Sequence, residues 1–108
     1  MGRQFLGEFE HHVLAALIHL GSNAYGLSVR REIQERLSRK VSIGAVYTTL
    51  ARLEEKGFVS SREGEATPER GNRAKRYFRI EAAGQRALAE YRHRLDSMWG
   101  DLPLPAGA

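Results

Sequence analysis

Between Arg70 and Ile80 the chain carries Arg70, Arg73, Lys75, Arg76 and Arg79 and no carboxylate. Such a run is suited to neutralising phosphates. Arg70, Arg73 and Lys75 surround Gly71 and Asn72, which predicts a cationic loop tip able to lie on a phosphate backbone or in a minor groove. A second group of residues lies upstream, from Ser42 to Lys56. At 100° per residue, the apolar stripe Ile43, Val46, Leu50 and Leu53 leaves Gly44, Ala45, Thr48, Ala51 and Arg52 on the other side. Small side chains let a helix backbone come close to a groove, and Thr and Arg supply donors for base edges and phosphates. Ser42 is placed to cap this helix, and Tyr47 falls at the margin of the two faces, with its hydroxyl within reach of a phosphate. The candidate DNA-binding residues are therefore Ser42, Gly44, Ala45, Tyr47, Thr48, Arg52, Arg70, Arg73, Lys75 and Arg76.

Other chemistry is poorly represented. There is no phosphate-binding glycine loop, nucleophile elbow or H-E-x-x-H motif, so an enzyme is not expected. Glu8 and His12 are four apart, His12 and His19 two turns apart, and zinc would need a further ligand such as His93. Surface histidines account better for this spacing, and no metal or cofactor is expected. Met98 and Trp99 suit either apolar packing or a pocket for a flat aromatic effector.

The elements that must position these residues follow from periodicity. Phe9, Val13, Leu17 and Leu20, widened by Leu14 and Ile18, predict a helix over 6–20, closed by Gly21-Ser22-Asn23. Val29, Ile33 and Leu37 predict a second helix over 27–39, which Gly26 lets the chain enter tightly; its Arg30 and Arg31 can meet phosphates or pair with Glu35. A third helix over 42–56 ends at Gly57. Residues 58–62 and 75–80 alternate as strands around a loop at 63–74. A last helix spans 82–99, with Leu88, Tyr91, Leu95 and Met98 as a coiled-coil-like seam for dimerisation. Residues 100–108, with Pro103 and Pro105, are expected to form a flexible tail. The fold class is thus mainly α with a small β-hairpin: a winged helix-turn-helix core at 6–80 and a long C-terminal helix, within one domain over 1–108.

Bulk properties agree with a nucleic-acid partner. The 108-residue chain has a net charge of +4 and a pI of about 9.9, a balance that favours polyanions. It has no cysteine, which excludes disulfides and thiolate metal sites. No apolar run marks a signal peptide or a membrane span, so a cytoplasmic location is expected, with no membrane partner.

The ordered set Tyr25-Gly26, Ser42-Ile43-Gly44-Ala45-Val46-Tyr47-Thr48-Thr49-Leu50, Arg52 to Val59, and Gly71 to Ile80 closed by Gly84 resembles the short members of the PadR family of transcriptional regulators. The resemblance covers roughly residues 6–95. It implies a homodimeric repressor whose C-terminal helices pair, and, in multidrug-sensing members, aromatic ligands held near a Trp placed like Trp99. The chain ends soon after the fourth helix and so looks to lack the longer helical C-terminal domain of other members. It departs from the family pattern at Thr48, where Pro is common after the Tyr and operator preference would change. It also departs at Phe78, in place of a Tyr, and Glu81, in place of a Thr. The readings that compete with a sequence-specific regulator on a palindromic operator are a protein-interaction module and a non-specific architectural DNA binder.

Overall fold

A computed structural model describes residues 5–64 and 75–103. The elements run α1 (Glu8–Leu20), a 3-10 turn (Gly21–Asn23), α2 (Gly26–Leu37), α3 (Ile43–Glu55), β1 (Val59–Glu63), β2 (Arg76–Ile80) and α4 (Ala82–Trp99). Val13 and Leu14 of α1, Val29 of α2, and Val46, Leu50 and Leu53 of α3 are fully buried, so three helices meet around one apolar centre. Their three- and four-residue spacing is what the sequence pattern requires of a shared core face.

The stripes are narrower than expected. Ile18 is 52% exposed and Leu37 is 40% exposed, although both continue the apolar spacing of their helices. Leu37 closes α2, where Ser38 takes the left-handed conformation at φ 51° and ends the helix. The second helix therefore ends two residues before its periodicity predicts, and it begins one residue earlier, at Gly26. The opposite surprise is Thr49, buried on α3 between Val46 and Leu53.

The ends of α3 are chemically well defined. The Ser42 hydroxyl accepts from the Ala45 N–H at 3.0 Å, satisfying one of the donors left free at a helix start. At the other end Gly57 adopts φ 78°, which lets the Phe58 N–H return to the Leu53 carbonyl at 2.9 Å. The chain then enters β1, which pairs antiparallel with β2 in the register Val59↔Ile80, Ser61↔Phe78 and Glu63↔Arg76.

The hairpin is not a free appendage. The Phe78 N–H donates to the Ala24 carbonyl at 2.8 Å, and Tyr25 bridges Tyr77. The two residues before α2 thus act as a third rung on the outer edge of β2. Buried Phe78 and Val59 seal the hairpin onto the helical core.

Helix α4 leaves β2 at Glu81, whose N–H donates to the Phe58 carbonyl at 2.9 Å. Gly84 is the buried residue of this helix, and a Cβ there would stand 2.3 Å from that same carbonyl oxygen. Close approach of backbone to backbone explains the glycine and fixes the angle at which α4 departs. The Glu81 carboxylate accepts from the Ser60 hydroxyl and from Arg79, tying the hairpin base to the helix start. These donors hold its carboxyl below the usual carboxylate range.

Candidate nucleic-acid interface

Helix α3 presents a continuous outer face. Ser42, Gly44, Ala45, Thr48, Ala51 and Arg52 are all exposed, while Val46, Thr49, Leu50 and Leu53 face inward. The exposed set is small or hydroxylated with a single cation and contains no carboxylate until Glu54. Arg52 makes its charge felt at Glu10 of α1. Glu10 also pairs with Lys56 at 2.8 Å, which ties the C-terminal end of α3 to α1. Burial raises the Glu10 pKa, but the Gly7 N–H and Lys56 outweigh it and leave it lowered.

Tyr47 is half exposed, as its marginal position predicts. Its ring lies over Gly26, so closely that a Cβ on Gly26 would come within 2.4 Å of the ring. Gly26 is therefore needed for space, and not for the tight helix entry its position suggests. A side chain of α3 is thus seated on the first residue of α2.

The turn between the two helices is held from both sides. The Gln34 side-chain oxygen accepts from the Val41 N–H at 3.0 Å, and Arg30 Nε donates to the Val41 carbonyl at 2.7 Å. Arg30 thus fastens the turn, and neither reaches outward nor pairs with Glu35. Periodicity could not reveal this, because the contact closes over eleven residues.

In the wing, Arg70 and Arg73 lie outside the described residues. Lys75 places its ammonium 3.8 Å from the Tyr25 ring centre, and Tyr25 meets Tyr77 edge to face at 5.7 Å. Arg62 lies 4.9 Å over Tyr77. The wing root is thereby a cation–aromatic stack that joins the hairpin to the start of α2. Arg76 donates to the Ser61 hydroxyl at 2.9 Å and stands 3.8 Å from Glu63. Both members of that ion pair are largely exposed, so it is weak and leaves Arg76 open to an anion. A cavity of about 390 Å³ flanks the hairpin, lined by Ser22, Ser60, Ser61, Arg62, Tyr77 and Arg79 among others. Sequence spacing gave no sign of it, since its walls come from separate segments.

The seam on α4 divides. Leu88 and Tyr91 pack partly on the chain's own core, with Tyr91 stacked on His11 of α1 at 4.3 Å and 17°. Leu95, Met98 and Trp99 are exposed, at 42%, 81% and 46%. The first half of the predicted dimer seam therefore also serves the fold, because α1 lies directly beneath it. No group of three or more metal-binding side chains occurs among the described residues; His11 and His12 meet each other through Nδ1 at 3.2 Å.

The family model for the "Transcriptional regulator PadR-like family" matches residues 13–90. The chain belongs to the PadR-like family of transcriptional regulators. Its architecture is the winged-helix DNA-binding fold with a long C-terminal helix. Solved structures share it. A transcriptional regulator from Clostridium thermocellum superposes with a TM-score of 0.71 at 22% identity, covering 86% of this chain and 87% of that one. A PadR-like transcription factor from Bacteroides fragilis gives 0.71 at 20% identity, over 83% and 82%. F93 from STIV, described as a winged-helix DNA-binding protein, gives 0.65 at 20% identity, over 88% and 95%. No curated protein matches the sequence. Within this family pattern Phe78, in place of a Tyr, is only 7% exposed, so the missing hydroxyl faces no solvent. None of the described helices is long and apolar enough to cross a membrane.

Proposed function

We propose that this PadR-like protein is a homodimeric, cytoplasmic repressor that binds a palindromic operator. Helix α3 enters the major groove, and the wing over 63–75 lies on the backbone or in the minor groove. The observation that carries the reading is the exposed, acid-free, small-residue face Gly44, Ala45, Thr48, Ala51 and Arg52 on a helix capped by Ser42. A solvated helix face with no binding partner would more often be filled with Glu and Lys. In this reading Thr48 and Arg52 read base edges, Ser42 and Tyr47 meet phosphates, and Arg70, Arg73, Lys75 and Arg76 form the wing contacts.

The dimer is supported by α4. Leu95, Met98, Trp99 and Leu102 leave a run of exposed apolar surface, which a second copy would cover. A two-fold dimer matches a palindromic site. Leu88 and Tyr91 would contribute the flank of the seam that α1 leaves open. Met98 and Trp99 could hold a flat aromatic effector at the same junction, which would couple ligand binding to the spacing of the two α3 helices.

The test is a footprint on the DNA upstream of the gene, paired with titration of a scrambled duplex. Protection of a palindromic site with markedly higher affinity than the scrambled duplex is expected. Equal affinity for the two across a salt series would favour a non-specific architectural role. A monomer by light scattering at micromolar concentration would remove the dimer. Loss of repression of a reporter by the Thr48 and Arg52 variants would support the regulatory sign.

A further inference from the structure

Among the described residues most cations are engaged with the fold. Arg36, Arg76, Arg79, Arg92 and Lys56 each face a carboxylate, while Arg62, Lys75 and Arg94 lie over aromatic rings. Arg31 and Arg86 lack such a contact, and so do Arg39 and Lys40. The latter two are exposed and adjacent, and among the described residues neither has an ion pair, a hydrogen bond or a ring contact. They occupy the turn between α2 and α3, and this turn is unusually well held. Val41 is buried with 6% exposure, its N–H is bound by Gln34 and its carbonyl by Arg30. Ser38 opens the turn in the left-handed region. Two uncompensated like charges are thus fixed side by side on ordered backbone, immediately before the cap of the recognition helix.

We propose that this turn is a DNA-phosphate site in which Arg39 and Lys40 contact the backbone beside the groove that α3 enters. The proposal rests on the DNA-binding reading above and adds a contact to it. Ordered backbone lowers the entropy lost when the side chains engage, so the turn is prepared for an anion. Lys40 precedes Ser42 by two residues, and the exposed Gly44 and Ala45 follow within the first turn of α3. The cations therefore sit at the N-terminal end of α3, beside its first exposed small residues. Phosphate contacts fix register and carry no base information, so the effect is the same on any sequence.

The experiment measures log K against log salt for a labelled duplex of generic sequence. Arg39→Ala and Lys40→Ala are compared with the parent protein and with Arg86→Ala, which removes an equally exposed cation from α4. Each turn variant is expected to reduce the slope by about 0.9 per half-site, while Arg86→Ala leaves it unchanged. A parent-like slope in both turn variants would overturn the proposal and leave the DNA-binding reading intact. An equal fall in all three variants would overturn it too, since only net charge would then matter. If the parent shows no salt-dependent binding to any duplex, the DNA-binding reading fails and the phosphate site fails with it. All three side chains are exposed, so loss of folding is not expected to obscure the comparison.

Discussion

The contact between Gly26 and Tyr47 makes an unusual prediction about sign. A Cβ at Gly26 would lie 2.4 Å from the Tyr47 ring. Gly26→Ala must therefore push the ring off its seat. Tyr47 is half exposed, so roughly 100 Å² of ring surface is covered, worth about 2.5 kcal/mol at most. Opposing this, alanine is favoured over glycine in a helix by up to about 1 kcal/mol, less at a first-turn position. Gly26→Ala in the parent should then destabilise by up to about 2 kcal/mol. In a Tyr47→Ala background the obstacle is gone, and the same substitution should be neutral or stabilising. Urea unfolding at fixed protein concentration reads both effects, with a midpoint shift of up to about 1 M in the parent and none or the opposite in the double variant. The difference is the coupling between the sites, of the size expected for residues in direct contact. The same change in midpoint in both backgrounds would falsify the steric account of Gly26.

Gly84→Ala drives a Cβ against the Phe58 carbonyl, a backbone atom held by the Glu81 N–H; a loss of at least about 2 kcal/mol is expected, and a thermal midpoint unchanged from the parent would refute it. Ser42→Ala removes the cap on the Ala45 N–H and should cost about 1 kcal/mol in denaturant unfolding, with Ser42→Asp retaining most of the stability. Burial, and then the neighbouring His12, lower the His11 pKa below its ordinary 6.5, while Glu8 opposes them. A lowered value means that the unfolded chain takes the proton first, so the His11 contribution is complete above about pH 6.5 and declines as pH falls through the folded pKa. His11→Phe keeps a ring against Tyr91 and should flatten the stability loss between pH 7 and 5. An unchanged pH profile would show that His11 is not its source. Glu10, whose lowered pKa acts below its ordinary 4.5, titrates outside that window.

Much of this protein could be read along the chain. The four helices, the hairpin and their order follow from apolar spacing, and Ser42 and Gly57 mark the ends of α3 through chemistry that needs only local backbone. The outer face of α3 was legible for the same reason: a regular helix converts spacing into direction, so placing the core stripe also places Gly44, Ala45, Thr48, Ala51 and Arg52. What tertiary structure decided was every relation between segments. Ala24 and Tyr25 become a rung of the wing only because β2 passes beside them. Gly26 is glycine because Tyr47 lies over it, and Gly84 because Phe58 does. Arg30 turns inward because the Val41 carbonyl is there to be bound. Ile18 and Leu37 carry core spacing yet face outward, since periodicity shows which residues share a face but not how far a neighbouring element covers it. The last helix illustrates the division best. Its seam was plain in the sequence, but only the position of α1 could assign Leu88 and Tyr91 to the chain's own core and leave Leu95, Met98 and Trp99 exposed beyond it.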